Sequence, residues 1–173
     1  KPLYFWKDKN NKKYIDTYFS KYNQIWHHGD FCEKTINDGF IIYGRSDATL
    51  NPGGVRIGTS EIYRQVEKID EILESLVIGQ NWKNDTRLVL FVVLKDEIIL
   101  ESELIKSIKN QLRIGASPRH VPSLVFQVPE IPKTKSGKIV ELAVRDLIHG
   151  KEIKNVSALA NPECLDYFRN LKI

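Results

Sequence analysis

The sequence predicts an α+β fold: a short β-hairpin, then a three-stranded sheet flanked by helices. Three observations carry this. Leu104, Ile108 and Leu112 recur four apart, which is the spacing of one helix face. Residues 88–94 are an unbroken apolar run rich in valine, the pattern of a buried strand. Gly29-Asp30-Phe31 and Asn37-Asp38-Gly39 punctuate a hairpin ahead of both. No internal repeat or low-complexity tract interrupts the order hairpin, helix, two strands, helix, strand, helix.

Residues 1–28 hold Tyr4, Phe5, Trp6, Tyr14, Tyr18, Phe19, Tyr22 and Trp26, but their helical periodicity is weak and no core is evident. This segment reads as a piece of something larger. Residues 40–43 are a strand that runs into Gly44-Arg45-Ser46-Asp47, and Asn51-Pro52-Gly53-Gly54 is a loop. Thr59 or Ser60 caps a helix to about Ile69, with Ile62, Val66 and Ile69 on one face. Strands are expected at 74–78 and 88–94, with 81–86 as the turn between them. A helix over 101–112 ends at Pro118 and Pro122, and a strand follows at 123–128. Residues 129–137 are a loop, 139–148 a helix closed by Gly150, and the polar tail carries a second cluster at Leu165, Tyr167 and Phe168.

At 173 residues the chain is long enough for one core-forming domain and an added segment. Its 42% hydrophobic and 28% charged residues argue against wholesale disorder. No apolar run approaches the roughly 18 residues of a membrane span, and the first residues have no apolar signal core. The chain has no methionine, which points either to a part cut from a longer protein or to replacement of methionine by an analogue. Cys32 and Cys164 form neither a CxxC pair nor a zinc spacing, which suits two ordinary thiols in a reducing compartment. The net charge of +4 comes from lysines dispersed among acids, without a run of five basic residues. That argues against nucleic acid as partner and fits phosphorylated small molecules.

Three segments carry candidate chemistry. In Pro132-Lys133-Thr134-Lys135-Ser136-Gly137-Lys138, a glycine immediately before a lysine frees the backbone to present that ammonium at a loop tip. Such a charge neutralises phosphate and carboxylate oxyanions together. The bland alternative is an exposed basic loop; a Walker loop is excluded because its first glycine is absent. In the second segment, Arg45 and Arg56 are candidate phosphate clamps, Gly53 and Gly54 allow close approach of a ligand, and Asp47 sits where a hinge would be. Its bland alternative is a hairpin with glycine turns and structural ion pairs. In the third, Trp26-His27-His28-Gly29-Asp30, adjacent histidines point to opposite faces, so no metal site is expected. Asp30 is a candidate acceptor for sugar hydroxyls.

In this order the three segments resemble the adenylate-forming superfamily of acyl-CoA synthetases, adenylation domains and luciferases. The finer similarity is to the acetoacetate–CoA ligase family. It is carried by residues 26–31 (WHHGDF), 44–63 (GRSDATLNPGGVRIGTSEIY), 117–123 (SPRHVPS) and 161–167 (NPECLDY). The resemblance implies the superfamily's small C-terminal domain, with residues 1–44 ending a large N-terminal domain and 45–173 forming a mobile one hinged at 45–47. It implies a ligase using ATP, Mg²⁺ and CoA to activate acetoacetate through an acyl-adenylate, in the cytoplasm and without nucleic acid or membrane partners. Lys138 would be catalytic, Asp30 and Arg45 would hold the nucleotide, and Asp47 would be the hinge. Gly53, Gly54, Arg56 and Arg113 would face CoA, with Arg119 a further candidate. The phosphate loop and acyl pocket lie in the large domain, so residues 1–173 alone are expected to be inactive. The same lysine is a candidate for acylation, which would remove its charge. Two other readings stay open: a ligase for acetate or propionate, and a stand-alone CoA- or nucleotide-binding module.

Overall fold

The computed structural model describes residues 2–153, 155–171 and 173. The chain divides into two compact units, Lys1–Asp30 and Phe31–Ile173.

The first unit is built on one short helix, α1 (Lys12–Tyr18), entered through a 3₁₀ turn at Lys9–Asn11. The Asp8 carboxylate accepts the N–H groups of Lys13 and Tyr14 at 2.9 and 2.7 Å, satisfying donors that the helix itself cannot. The rings of Phe5, Tyr14, Tyr18, Phe19 and Trp26 meet at centroid distances of 5.4–6.4 Å in edge-on and tilted pairs. None of the described residues 2–28 is buried. The rings therefore form a surface cluster, in line with the missing core read from the sequence.

The expected hairpin follows, β1 (Asp30–Lys34) and β2 (Phe40–Arg45), all of it but Asp30 within the second unit. Thr35 N–H donates to the Gly39 carbonyl at 2.9 Å to close it. The Tyr43 hydroxyl donates to Glu33 at 2.6 Å, and that carboxylate raises the phenol's pKa. Helix α2 (Thr59–Val66) begins one residue earlier than read: Gly58 is its N-cap, and the Glu61 carboxylate accepts the Gly58 N–H at 2.7 Å. Ser60 instead donates to the Tyr43 carbonyl at 2.9 Å, tying the helix to β2. A Cβ on Gly58 would stand 2.3 Å from that same carbonyl, so only glycine lets β2 pass this closely.

The main sheet has the order β3 (Ile72–Trp82), β4 (Asp85–Leu94), β5 (Leu124–Gln127). β3 and β4 are antiparallel, from Ile72↔Leu94 to Trp82↔Asp85. β5 lies parallel to β4, from Val89↔Leu124 to Val92↔Gln127, after a crossover through α3 (Ser102–Gly115). The turn expected over 81–86 is only Lys83 and Asn84, both left-handed at φ 47° and 64°. That conformation matches the twist of a tight hairpin, so both strands extend into polar sequence.

Helices cover both faces of this sheet. Val77, Leu88, Leu90, Val92 and Leu94 face Ile62 and Val66 of α2 and Ile108 and Leu112 of α3. Leu76, Ile78, Val89 and Phe91 face Val144 of α4 (Glu141–Ile148) and Phe168 of α5 (Leu165–Arg169). β4 is thus apolar on both sides, which is why its sequence runs unbroken rather than alternating. The tail cluster differs in one member: Leu165 and Phe168 are buried, three apart on α5, while Tyr167 points to solvent at 51% exposure.

The two cysteines are free, Cys32 exposed and Cys164 buried. Burial, with Glu130 and Glu163 nearby, pushes the Cys164 thiol up to about 11. Because the folded pKa is raised above the ordinary 9.0, the stability this thiol lends is intact below pH 9 and is lost as pH rises through about 11. Iodoacetamide at neutral pH is therefore expected to label the native chain once, at Cys32, and twice in denaturant. Mass spectrometry counts the labels, and rapid native labelling of Cys164 would contradict the packing of the tail.

Candidate functional site

Residues 131–140 fold into a narrow loop. Lys133 and Ile139 bridge across it. Thr134 N–H donates to the Lys138 carbonyl, and Gly137 N–H donates to the Thr134 carbonyl, each at 2.8 Å. Gly137 sits at φ +80° with open space around a built Cβ, so the backbone conformation, not crowding, calls for glycine. The Thr134 hydroxyl accepts the Lys138 N–H at 3.1 Å and meets the Ser136 hydroxyl at 3.0 Å. Lys138 follows this turn, exposed, with no ion-pair partner among the described residues. Lys133, by contrast, is committed: its ammonium pairs with Glu74 on β3. Sequence reasoning had no means of separating these lysines, since Glu74 is 59 residues away.

At the start of the second segment, the Arg45 guanidinium contacts both Asp47 carboxylate oxygens at 3.3 and 3.4 Å. The Asp47 carbonyl accepts Arg145 Nη1 at 2.7 Å. Arg145 lies on α4, so residue 47 is strapped to the helix that follows the Lys138 loop. A second tie joins α2 to α4: Thr59 and Tyr63 donate to Glu141 at 3.2 and 3.1 Å. Burial, reinforced by the Glu141 charge, holds the Tyr63 phenol well above its ordinary pKa and therefore neutral.

The Gly53–Gly54 loop is built separately. Both glycines are left-handed, at φ 57° and 78°. Gly53 N–H donates to the Asp85 carboxylate at 2.9 and 3.1 Å, and Arg119 Nη1 donates to the Gly53 carbonyl at 3.4 Å. The N–H groups of Thr86 and Gly53 hold the Asp85 carboxyl below the usual range. Arg56 is exposed two residues past Gly54. Arg119 therefore joins this loop, whereas exposed Arg113 lies in a shallow depression with Lys106 and Lys109 on α3.

These two loops stand at opposite ends of one hairpin. Glu74, the anchor of the Lys138 loop, is paired with Val93; Asp85, the anchor of the glycine loop, is paired with Trp82 beside the turn. The two positions are eight residues apart along β4, about 26 Å at ~3.3 Å per residue.

Asp30 belongs to the first unit, where its carboxylate pairs with His28 Nδ1. His27 and His28 precede β1 rather than lie in a strand, and Gly29 turns the backbone at φ 90°, so strand alternation read from the sequence does not account for this pairing. The described residues contain no group of three or more His, Cys, Asp or Glu side chains able to hold a metal. Nor is any helix among the described residues long and apolar enough to cross a membrane.

Residues 61–138 match the AMP-binding enzyme C-terminal domain. The chain is 57% identical over 171 residues to acetoacetyl-coenzyme A synthetase of Rhizobium meliloti (strain 1021), covering 99% of this chain and 26% of that protein. It is 45% identical over 172 residues to acetoacetyl-CoA synthetase of Xenopus tropicalis, covering 98% and 26%. Among solved structures it is similar to acetoacetyl-CoA synthetase from Streptomyces lividans, with a TM-score of 0.89 and 38% identity over 97% of this chain and 26% of that one. The chain thus spans about a quarter of the length of the curated relatives it matches.

Proposed function

Because this chain carries the C-terminal domain of the AMP-binding enzymes and is homologous over nearly its whole length to acetoacetyl-CoA synthetases, we propose that it is the lysine-bearing part of an AMP-forming acetoacetate–CoA ligase. The observation that carries this reading is Lys138: an exposed ammonium, with no ion-pair partner among the described residues, on a loop pinned at both flanks. Such a charge is free to meet oxyanions without first breaking an ion pair.

In the first half-reaction an acetoacetate oxygen attacks the α-phosphorus of ATP and pyrophosphate leaves. Lys138 bridges the carboxylate and α-phosphate oxygens, where negative charge builds in the transition state. Asp30 holds the ribose hydroxyls and Arg45 the nucleotide. In the second half-reaction the CoA sulfur attacks the acyl carbon and AMP leaves. The Gly53–Gly54 loop then lines the thiol's approach, with Arg56 and Arg113 toward CoA phosphates. Loops about 26 Å apart on one hairpin suit a domain that turns about residues 45–47 between the two steps. For Arg45 and Asp47 their mutual ion pair supports a shared role at that hinge. Mg²⁺ enters with ATP, and the two free thiols support a cytoplasmic setting.

The test is acetoacetate-dependent ATP–pyrophosphate exchange by the full-length ligase, with acetate and propionate as competitors. Acetoacetate is expected to give the highest kcat/KM. Residues 1–173 alone are expected to show no exchange, because the sequence holds no Ser/Thr/Gly-rich phosphate loop. Exchange by the isolated chain, or a preference for acetate, would overturn the respective part of the reading.

A further inference from the structure

We propose that Asn161, in the tail beyond the matched domain, is a positioning residue that fixes the loop presenting Lys138; this rests on the reading of Lys138 given above. Asn161 is buried, at 8% exposure. It occupies the N-cap of the 3₁₀ turn Pro162–Cys164, where asparagine ordinarily binds the backbone just ahead, yet it makes no cap bond. Both ends of its carboxamide go elsewhere. Oδ1 accepts the Lys133 N–H at 2.9 Å, and Nδ2 donates to the Ile131 carbonyl at 3.0 Å.

Those two backbone groups bracket Pro132, which has no N–H of its own. One carboxamide, donating to residue 131 and accepting from residue 133, stands in for the peptide group of a neighbouring strand. Main-chain rungs continue the same ladder. Ala160 N–H donates to the Lys133 carbonyl at 2.8 Å, Lys135 N–H donates to the Ala158 carbonyl at 3.1 Å, and Thr134 bridges Leu159. The tail is itself fixed, with Leu159, Cys164, Leu165 and Phe168 all buried. From Lys133 the constraint passes to Thr134, whose N–H binds the Lys138 carbonyl at 2.8 Å. Asn161 thus acts on the lysine through the base of its loop and touches no reacting atom.

A misplacement of about 1 Å costs a rate up to roughly a hundredfold, so the proposal is read in the rate of the step that uses Lys138. In the full-length ligase the half-reactions are measured separately: ATP–pyrophosphate exchange, and thioester formation from isolated acyl-adenylate with CoA. Asn161→Ala is expected to lower the kcat of exchange about tenfold to a hundredfold, with the KM for ATP and the rate of thioester formation unchanged. Asn161→Asp keeps volume and acceptor but sets an oxygen against the Ile131 carbonyl. It is expected to show the same one-sided loss, and it serves if the alanine variant does not accumulate folded. Equal loss in both half-reactions would mean a merely structural role and would overturn the proposal. So would intact exchange in the Asn161 variants alongside a collapse in Lys138→Ala. Intact exchange in Lys138→Ala would overturn the reading of the site, and the proposal with it.

Discussion

Replacing Lys138 with alanine in the full-length ligase is expected to lower acetoacetate-dependent ATP–pyrophosphate exchange by at least about 10²–10³-fold, the range for removing one preorganised donor from a developing charge. Thioester formation from preformed acyl-adenylate should keep most of its rate, because the role proposed for Lys138 is to neutralise charge in the first step. The fold should not notice. The ammonium is exposed and pairs with no carboxylate among the described residues, so the change in stability should stay within about 0.5 kcal/mol. Lys138→Arg retains the charge but spreads it over a rigid planar fork, and is expected to recover only part of the rate. Equal exchange rates for wild type and Lys138→Ala would remove this residue from the chemistry.

The second large effect concerns the core. Phe91→Ala should destabilise the second unit by about 3–5 kcal/mol, the cost of losing a large buried ring and leaving a cavity. Phe91 is fully buried on β4. It stacks on Phe126 of β5 at 5.9 Å and meets the edge of Phe168 of α5 at 5.0 Å. The ring therefore joins the centre of the sheet to the tail that buttresses the Lys138 loop. Urea denaturation reads the loss as a lower midpoint. A shift worth under about 1 kcal/mol would mean that the site collapses around the missing ring and that the tail packs more loosely than the contacts imply.

Much of this fold was legible because the signals are local. The i, i+4 spacing of α3 and the valine-rich run of β4 need no knowledge of the rest of the chain. The misjudged ends follow from tertiary contacts. The 81–86 segment is polar, yet Trp82 and Asp85 still pair, because Lys83 and Asn84 turn the chain in two residues. Thr59 and Ser60 are good caps by type, but Ser60 is drawn to Tyr43 and Glu61 caps the helix from within. The candidate site divides in the same way. Lys138 after Gly137, and the glycine pair 53–54, are visible as motifs. Their holders Glu74, Asp85, Arg145 and Asn161 are ordinary polar residues that acquire meaning only through long-range contacts.

The placement of the two loops at opposite ends of β3 and β4 bears on how the protein can diverge. Their anchors are about 26 Å apart and share no partner, well beyond the ~7–10 Å within which substitutions usually couple. Variation around Gly53 and Asp85 should therefore accumulate without disturbing Lys133 and Glu74, and the reverse. A lineage could reshape one loop while the other stays inherited intact, and a designer could exchange one loop as a cassette.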